Sequence, residues 1–132
     1  MTTVADLARE PFVSVTTYRR SGEGVATPVW VVPDGDALLV WTVADSGKVK
    51  RLRRDPRVDL VVCSRRGAVP DGAEHVAGTA TVTDDPAQLA AVQRALAGKY
   101  GVQYRVVTVI EKAVATVKRQ HSGRVVLRIS AA

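Results

Sequence analysis

The amino-acid sequence predicts a small, mainly β domain with flanking helices, in which the last strand can close a barrel. Short runs rich in Val and Thr are separated by clusters of Gly, Pro and Asp, the pattern of strands joined by tight turns. Three other segments carry apolar residues at helical spacing. The final apolar run, residues 124–129, comes late enough to pair back across the sheet.

The composition is that of one globular domain spanning residues 1–132. Hydrophobic residues make up 46% and charged residues 24% of the chain, which argues against disorder and against a fibrous protein. Residues 1–10 are charged where a secretory signal would be apolar, and no apolar run could span a bilayer. We therefore expect a cytoplasmic protein with no membrane partner. Cys63, the only cysteine, lies in an apolar run typical of a buried residue.

The first strands surround a proline. Val13–Tyr18 is β-branched and partly alternating, and residues 20–24 form a turn cluster, so a hairpin is predicted here. Residues 25–32 read as one second strand. Because Pro28 lacks a backbone N–H, this strand is expected at an edge or at an interruption of pairing.

A third strand leads directly into a basic helix. Residues 33–36 have the composition of a tight turn, which predicts a hairpin between the second strand and Ala37–Val43. Ser46 can cap a short helix over Gly47–Arg54. Pro56 forces the chain out of this helix.

The rest of the chain alternates between strands and helices. Residues 57–64 and 75–83 read as strands joined by a polar loop. Pro86 is suited to open a helix over residues 87–96, with Leu89, Val92 and Leu96 as its apolar stripe and Gly101 as its end. Residues 104–120 have strand-like composition but helical periodicity, and length favours a helix.

Most familiar catalytic motifs are missing from the sequence. It contains no phosphate-binding loop of the Walker type, no dinucleotide fingerprint, no nucleophile elbow and no metal-ligand cluster. His75 and His121 lie in separate elements beside polar neighbours, which favours structural or surface roles. No catalytic side chain and no metal ligand is therefore assigned.

The net charge is concentrated in one segment. Residues 48–66 contain eight basic and two acidic residues, which accounts for the whole net charge of +6. Such a local positive field suits an anionic ligand. Ser46, Gly47 and the free N–H groups at the helix start could hold a phosphate, with Lys48 and Arg51 on one helical face. The neighbouring basic residues Lys50, Arg53 and Arg54 suit a second anionic group or solvent, and a plain basic surface helix is the alternative.

Four stretches of sequence carry a resemblance to a known family. They are residues 26–30 (ATPVW), 40–42 (VWT), 46–58 (SGKVKRLRRDPRV) and 75–80 (HVAGTA). Together with the order of elements, they resemble the F420-dependent branch of the pyridoxamine-phosphate-oxidase-like proteins of actinobacteria. The resemblance covers nearly the whole chain, and the run from Gly47 to Val58 is its most specific part.

The resemblance implies a split β-barrel that forms a homodimer and holds coenzyme F420 at the subunit interface. It places the tricyclic ring beside the backbone of Thr27, Pro28 and Val29, and places Trp41 and Thr42 near the ring or the ribityl chain. It also implies that the phosphate tail meets the helix start. The residues there are Ser46, Gly47, Lys48, Val49, Lys50 and Arg51.

The function implied is an F420-dependent oxidoreductase that transfers hydride between the deazaflavin and a small organic acceptor. Such a protein needs no catalytic acid or base motif, because the cofactor supplies the chemistry. FMN is the alternative cofactor, since its phosphate would suit the same residues, while haem lacks an evident axial ligand. A carrier that binds F420 without turnover is a second alternative.

A nucleic-acid-binding barrel is the alternative from a different class. A pI near 10.0 and the arginine-rich segment favour it. Single-strand binders also need stacking platforms, however, and the few aromatic residues here lie mostly in apolar strands or at helix boundaries. We therefore expect a small-molecule substrate and a second copy of the chain as partners, and no nucleic acid.

Overall fold

One antiparallel sheet of seven strands dominates the computed structural model, which describes residues 2–104 and 123–132. The strands are β1 Val13–Tyr18, β2 Gly24–Val29, β3 Val32–Asp34, β4 Ala37–Val43, β5 Arg57–Val62, β6 Val76–Thr83 and β7 Arg124–Ala131. The helices are α1 Val4–Leu7, α2 Gly47–Arg54 and α3 Pro86–Tyr100. The prediction of a mainly β fold with flanking helices is confirmed. No helix within the described ranges is both long enough and apolar enough to cross a membrane.

The strand order shows that the sheet is a curled, split barrel. The order is β2-β1-β5-β6-β7-β4-β3, so β2 and β3 lie at opposite edges although they are adjacent in the chain. Only Trp30 and Val31 separate them. An extended chain advances at most ~3.6 Å per residue, so this crossover spans at most about 11 Å. The two edges must therefore come close together while each pairs on one side only.

The prediction of a single strand over residues 25–32 is wrong. The chain leaves β2 after Val29 because the backbone of Val31 makes its hydrogen bonds with α3. Val31 N–H donates to Tyr100 Oη at 3.0 Å, and Val31 O accepts from Lys99 Nζ at 2.6 Å. The expected edge position of Pro28 is confirmed, since β2 pairs only with β1, where Pro28 lies opposite Ser14.

Several predicted boundaries are confirmed and others shift. The bounds of β1, β4 and α2 agree with the prediction. The turn predicted over residues 33–36 narrows to Gly35 and Asp36, because Pro33 and Asp34 pair with β4. The strand predicted to Ser64 ends at Val62, and the next begins at Val76. Helix α3 runs past Leu96 to Tyr100, and Gly101, at φ 55°, follows its last turn.

One helix was not predicted from the sequence, whereas the last strand was. Helix α1 begins at a capping box in which the Thr3 and Asp6 side chains each accept a hydrogen bond from the other's backbone N–H. The final apolar run was predicted to pair back across the sheet, and this is confirmed, because β7 lies between β6 and β4 and joins two parts of the sheet. The helix predicted over residues 104–120 lies outside the described residues except for Tyr104, and His121 also lies outside them.

The buried side chains form two clusters on the two sides of the sheet. The barrel interior contains alternate residues of β1, β4, β5 and β7, and α2 adds Val49 and Leu52. The second cluster lies between α3 and the outer side of β3, β4 and β7, where Val92 and Leu96 pack against Val32 and Val126. The apolar stripe predicted for α3 is confirmed. Cys63 is buried as expected, and burial raises the pKa of its thiol.

Candidate functional site

A cleft of about 280 Å³ opens where the crossover between the sheet edges meets the ends of β4 and α2. Its wall combines aromatic and apolar side chains with three cations. The lining residues are Phe12, Pro28, Val29, Trp30, Trp41, Thr42, Lys48, Arg65 and Arg124. No carboxylate lies in this lining among residues 2–104 and 123–132. The cleft therefore suits a flat apolar ligand that carries negative charge.

Helix α2 contributes its N-terminal turn to this region. Ser46 caps the helix, and its Oγ accepts a hydrogen bond from Val49 N–H at 3.4 Å. Val49 and Leu52 are buried in the barrel, which fixes the helix on the sheet. The same docking points Lys48 into the cleft.

Arg51 folds back over the start of its own helix. Its Nε donates to Thr17 Oγ1 at 2.6 Å, and Thr17 is completely buried. A Cβ built at Gly47 would lie only 2.8 Å from Arg51 Nη1, so the absence of a side chain at Gly47 makes room for the guanidinium. The guanidinium thus lies beside the positive end of the helix dipole. This arrangement fits a phosphate group, because both partners attract an anion.

Lys48 is half-buried between α2 and the cleft. Burial lowers the pKa of its ammonium group, and the positive charge of Arg51 lowers that pKa further. The negative charge of an anion bound beside Lys48 would oppose this lowering of the pKa by stabilising the charged form. Lys48 is therefore placed to contribute more to an anionic ligand than an exposed lysine would.

Two other arginines of the basic segment, Arg54 and Arg57, have structural partners instead. Arg54 Nη2 donates to the backbone oxygen of Tyr18 at 2.6 Å, which ties α2 to the end of β1. Arg57 pairs with Asp55 at 2.8 Å, and this contact lowers the pKa of the Asp55 carboxyl to about 2. The Arg57 guanidinium also lies 5.3 Å from the centre of the Tyr18 ring. Lys48 and Arg51 therefore face the candidate site, whereas Arg54 and Arg57 stabilise the fold.

Trp41 forms one aromatic wall of the cleft. The Arg124 guanidinium lies 4.2 Å from the centre of its ring, and the Tyr104 ring lies 5.8 Å away at a tilt of 59°. The buried Trp41 Nε1 has no hydrogen-bond partner in the part of the chain that the structure describes. An unpaired buried N–H is costly, and an acceptor on a ligand held here would relieve that cost.

Trp30 forms a second aromatic wall and is held by α3. Its ring stacks on Tyr100 with 4.6 Å between centroids and 16° between planes. Tyr100 Oη in turn donates to Pro11 O at 2.8 Å. Phe12, the next residue, accepts a hydrogen bond from Cys63 N–H at 3.2 Å through its backbone oxygen. These contacts bring Phe12 and Trp30 to the same cleft.

The structure places five of the eleven site residues predicted from the sequence in the lining of the cleft. Pro28, Val29, Trp41, Thr42 and Lys48 line the cleft. The other predicted residues lie outside its lining: Thr27 on β2, and Ser46, Gly47, Val49, Lys50 and Arg51 on or beside the first turns of α2.

Val49 and Lys50 have surroundings that do not suit a contact with the phosphate tail. The Val49 side chain is completely buried in the barrel, and its N–H already donates to Ser46. Lys50 is exposed on the helix surface. Their places in the structure favour Lys48 and Arg51 over Val49 and Lys50 as contacts.

Four lining residues were missed by sequence reasoning. Phe12, Trp30, Arg65 and Arg124 come from four separate connections or strand ends. Only Trp30 lies in one of the stretches that carry the family resemblance, residues 26–30, and it was not assigned to the site. For Arg65, membership in the local charge excess was the available signal. The predicted structural role of His75 is supported, since its Nδ1 lies 2.6 Å from Asp59 Oδ2.

Comparisons with known proteins agree with this fold. The family model described as Pyridoxamine 5'-phosphate oxidase matches residues 2–132. The conserved hypothetical protein Rv2991 from Mycobacterium tuberculosis is 25% identical, with a TM-score of 0.67 over 97% of this chain and 78% of that one. No match was found among curated proteins.

Two further solved structures share the fold at lower identity. One, named F420 Reductase, has a TM-score of 0.64 at 16% identity and covers 100% of this chain and 95% of its own. The other, the heme storage protein HutZ from Vibrio cholerae, has a TM-score of 0.67 at 10% identity over 99% of this chain and 92% of that one. At these identities the likeness concerns the fold alone.

Proposed function

Since this chain belongs to the pyridoxamine 5'-phosphate oxidase family, we propose that it binds a phosphate-bearing tricyclic coenzyme, coenzyme F420, and is an oxidoreductase. The reaction proposed is hydride transfer between the deazaflavin and a small organic acceptor. FMN is the alternative coenzyme of the same class.

One observation carries this proposal: an aromatic cleft adjoins a helix start that is arranged for an anion. Trp30 and Trp41 give the cleft flat apolar walls, and Lys48 lies where α2 meets it. Arg51 lies over Gly47 at the start of the same helix. A ring with a phosphate tail has the shape and charge that these two parts require together.

The chain's own residues would bind, orient and shield the coenzyme. When bound, a reduced deazaflavin supplies a hydride from C5. Arg51, Lys48 and the free N–H groups of α2 would hold its phosphate, which fixes the tail. Pro28, Val29 and Trp41 would bound the ring and exclude water, so that an acceptor is held in one orientation.

The amount of positive charge favours F420 over FMN. Arg51 and the start of α2 already suit one phosphate, and the cleft adds Lys48 and Arg124 as further cations. F420 carries an acidic polyglutamate tail in addition to its phosphate, and FMN does not. The greater anionic load of F420 matches the larger set of cations.

Haem is a poorer match to the cleft. Its iron needs an axial ligand such as His, Cys, Met or Tyr. None of these residue types lines the cleft within residues 2–104 and 123–132.

The test is a titration of the purified protein with F420, FMN and haem. We expect F420 to bind most tightly, and Lys48→Ala and Arg51→Ala each to weaken it about tenfold or more, since a charge-assisted hydrogen bond contributes at least ~1.4 kcal/mol. Arg53→Ala is the matched control, because Arg53 is an exposed cation on the same helix. Reduced complex would then be screened against organic acceptors.

Three results would contradict the proposal. Binding of FMN or haem in preference to F420 would show that the coenzyme is not F420. Tight F420 binding without reduction of any acceptor would favour a carrier. Indifference to all three ligands, together with salt-sensitive binding of oligonucleotides, would favour a nucleic-acid-binding barrel.

We also propose that the protein works as a homodimer with coenzyme sites at the interface. The family resemblance implies this arrangement, and two large apolar side chains, Val69 at 42% and Val102 at 74%, are exposed in the described part of the chain. Sedimentation equilibrium should give twice the chain mass of 14.1 kDa, with one coenzyme bound per chain. A monomer that binds the coenzyme with full affinity would rule the arrangement out.

A further inference from the structure

Arg65 reaches the cleft from a connection that the proposed coenzyme clamp does not use. It lies in the segment between β5 and β6, whereas Lys48 and Arg51 belong to α2. Arg66 is the next residue and is also exposed, but it does not line the cleft. The two neighbouring arginines thus differ in whether they face the cleft.

A tight turn holds Arg65 in this place. Ser64 N–H donates to Ala68 O at 2.8 Å, and Gly67 N–H donates to Ser64 O at 2.9 Å. The Ser64 hydroxyl oxygen also accepts from Arg66 N–H at 3.3 Å and from Ala68 N–H at 3.0 Å. Four hydrogen bonds centred on Ser64 therefore define the backbone that carries Arg65.

The turn is also fixed against the cleft wall. Gly67 has φ +90°, a conformation that a residue with a side chain rarely adopts. A Cβ at Gly67 would lie 3.6 Å from Pro28 Cγ, so the turn packs directly on the edge strand β2. Since Pro28 itself lines the cleft, this contact sets where Arg65 enters it.

The positive charge of the cleft favours a second anionic group besides the phosphate. Lys48, Arg65 and Arg124 enter from α2, the β5–β6 connection and the start of β7. The described lining contains no acidic side chain beside Lys48 and Arg65. Like charges brought into one cleft repel, and a ligand carboxylate offers Arg65 a bidentate partner.

We infer that Arg65 recognises an acidic group of the acceptor, so that the acceptor class of this protein is an organic acid with a flat apolar body. This inference rests on the proposed function, since it assigns the second ligand of that site. Arg65 is a substrate-binding residue in this assignment, and the turn from Ser64 to Ala68 is the device that positions it.

The test compares an aromatic acid with its neutral amide, using 2-naphthoate and 2-naphthamide as probes. Both tryptophans of the chain line the cleft, so quenching of their fluorescence reports on binding there in coenzyme-free protein. Equilibrium dialysis gives the dissociation constants of both probes for F420-loaded protein. The variants are Arg65→Gln and the matched control Arg66→Gln, which removes the same charge one residue away.

We expect F420-loaded wild-type protein to bind 2-naphthoate about tenfold or more tightly than 2-naphthamide, as one charged hydrogen-bonded pair would provide. In Arg65→Gln, the dissociation constants of the two probes should differ by no more than about twofold. The affinities for 2-naphthamide and for F420 should stay within about twofold of those of the wild type. Arg66→Gln should keep the wild-type preference for the acid.

Other outcomes overturn the inference, and they do so separately from the proposed function. Equal losses of affinity for 2-naphthoate in Arg65→Gln and Arg66→Gln would mean that only the general positive charge of this region affects binding. An Arg65→Gln variant that loses F420 affinity would assign Arg65 to the coenzyme, as would a preference for the acid that exists only in coenzyme-free protein. Absence of F420 binding in wild-type protein overturns the proposed function itself, and with it the acceptor assignment.

Discussion

Lys48 joins the basic helix to the cleft, and its half-buried ammonium group is the most responsive charge of the candidate site. Burial and the nearby Arg51 both act against the charged form, which lowers the pKa of Lys48 from its ordinary value of 10.5. Folded protein therefore binds the Lys48 proton less tightly than the unfolded chain does. The contribution of Lys48 to the free energy of unfolding increases as the pH rises from the lowered pKa towards 10.5.

Ligand binding should show the opposite dependence on pH. A phosphate near Lys48 stabilises the ammonium form, so F420 affinity should be steady near neutral pH and fall as Lys48 loses its proton. Lys48→Arg should keep its affinity up to about pH 10, because a guanidinium stays charged there. Dissociation constants measured across this range check the prediction. Parallel pH profiles for the two proteins would show that another group titrates.

Gly47→Ala tests the space that Arg51 occupies. The new Cβ would lie 2.8 Å from Arg51 Nη1, so the guanidinium must move away from the helix start. We expect F420 affinity to fall about five- to tenfold, while the unfolding free energy changes by less than ~1 kcal/mol, since alanine suits a helix and the side chain that must move is flexible. Titration and urea unfolding measure the two quantities.

Gly98→Ala is the matched control for this prediction. Gly98 lies within α3, and a Cβ there would meet nothing within 4 Å. The unfolding free energy should rise by about 0.5–1 kcal/mol and F420 affinity should stay unchanged. If both glycine variants bind F420 as the wild type does, the place of Arg51 has no role in binding.

Among the elements, α3 positions residues of the cleft from outside it, because Tyr100 at its C-terminal end contacts the wall but does not line the cleft. Lys99 Nζ donates to the backbone oxygens of Ala8, Glu10 and Val31 at 2.9, 2.8 and 2.6 Å. Tyr100 stacks on Trp30 from the same helix end. The C-terminus of α3 therefore holds both the crossover between the sheet edges and the segment that leads to β1.

Lys99→Met removes this tie while keeping the length of the side chain. Three backbone oxygens would lose their shared donor, and because the lysine is partly exposed we expect a loss of about 1–2 kcal/mol in unfolding free energy. Arg94→Met, at an exposed position of the same helix, should change it by less than ~0.5 kcal/mol. Urea unfolding followed by tryptophan fluorescence compares them, and equal stabilities would refute the role given to Lys99.

At the scale of the whole molecule, β7 joins two parts of the sheet into one unit. Leu127 on this strand lies opposite Val40 of β4 and Val82 of β6, and it is completely buried. A cavity at this position would weaken the packing of both neighbours. The barrel should therefore unfold as a single cooperative unit.

Leu127→Ala should lower the unfolding free energy by about 2–5 kcal/mol without separating the transitions seen by different probes. Tryptophan fluorescence reports on the cleft, and far-ultraviolet circular dichroism reports on the sheet. Gln88→Ala, at an exposed position of α3, should change the unfolding free energy by less than ~0.5 kcal/mol. Two separate midpoints for Leu127→Ala would indicate that the parts of the barrel fold independently.

Local features of the sequence were sufficient to predict α2 and its neighbours. The cap at Ser46, the buried pair Val49 and Leu52, and Pro56 after the helix are all set by nearest neighbours, so the bounds of α2 agree with the prediction. The bounds of β4 agree as well, because its apolar run is continuous. The segment that carries the excess charge was predicted as well, because the count of charged residues over a short stretch is also a local feature of the sequence.

Contacts between distant residues decided what that charge does. Arg51 meets Thr17, which is 34 positions away, and Val31 meets Tyr100, which is 69 positions away. The first contact turns a basic helix into a candidate phosphate clamp, and the second divides residues 25–32 between two sheet edges. Periodicity and capping describe only neighbours along the chain. By itself the sequence determined a β domain with a basic, capped helix, and the tertiary structure decided which cations enter the cleft.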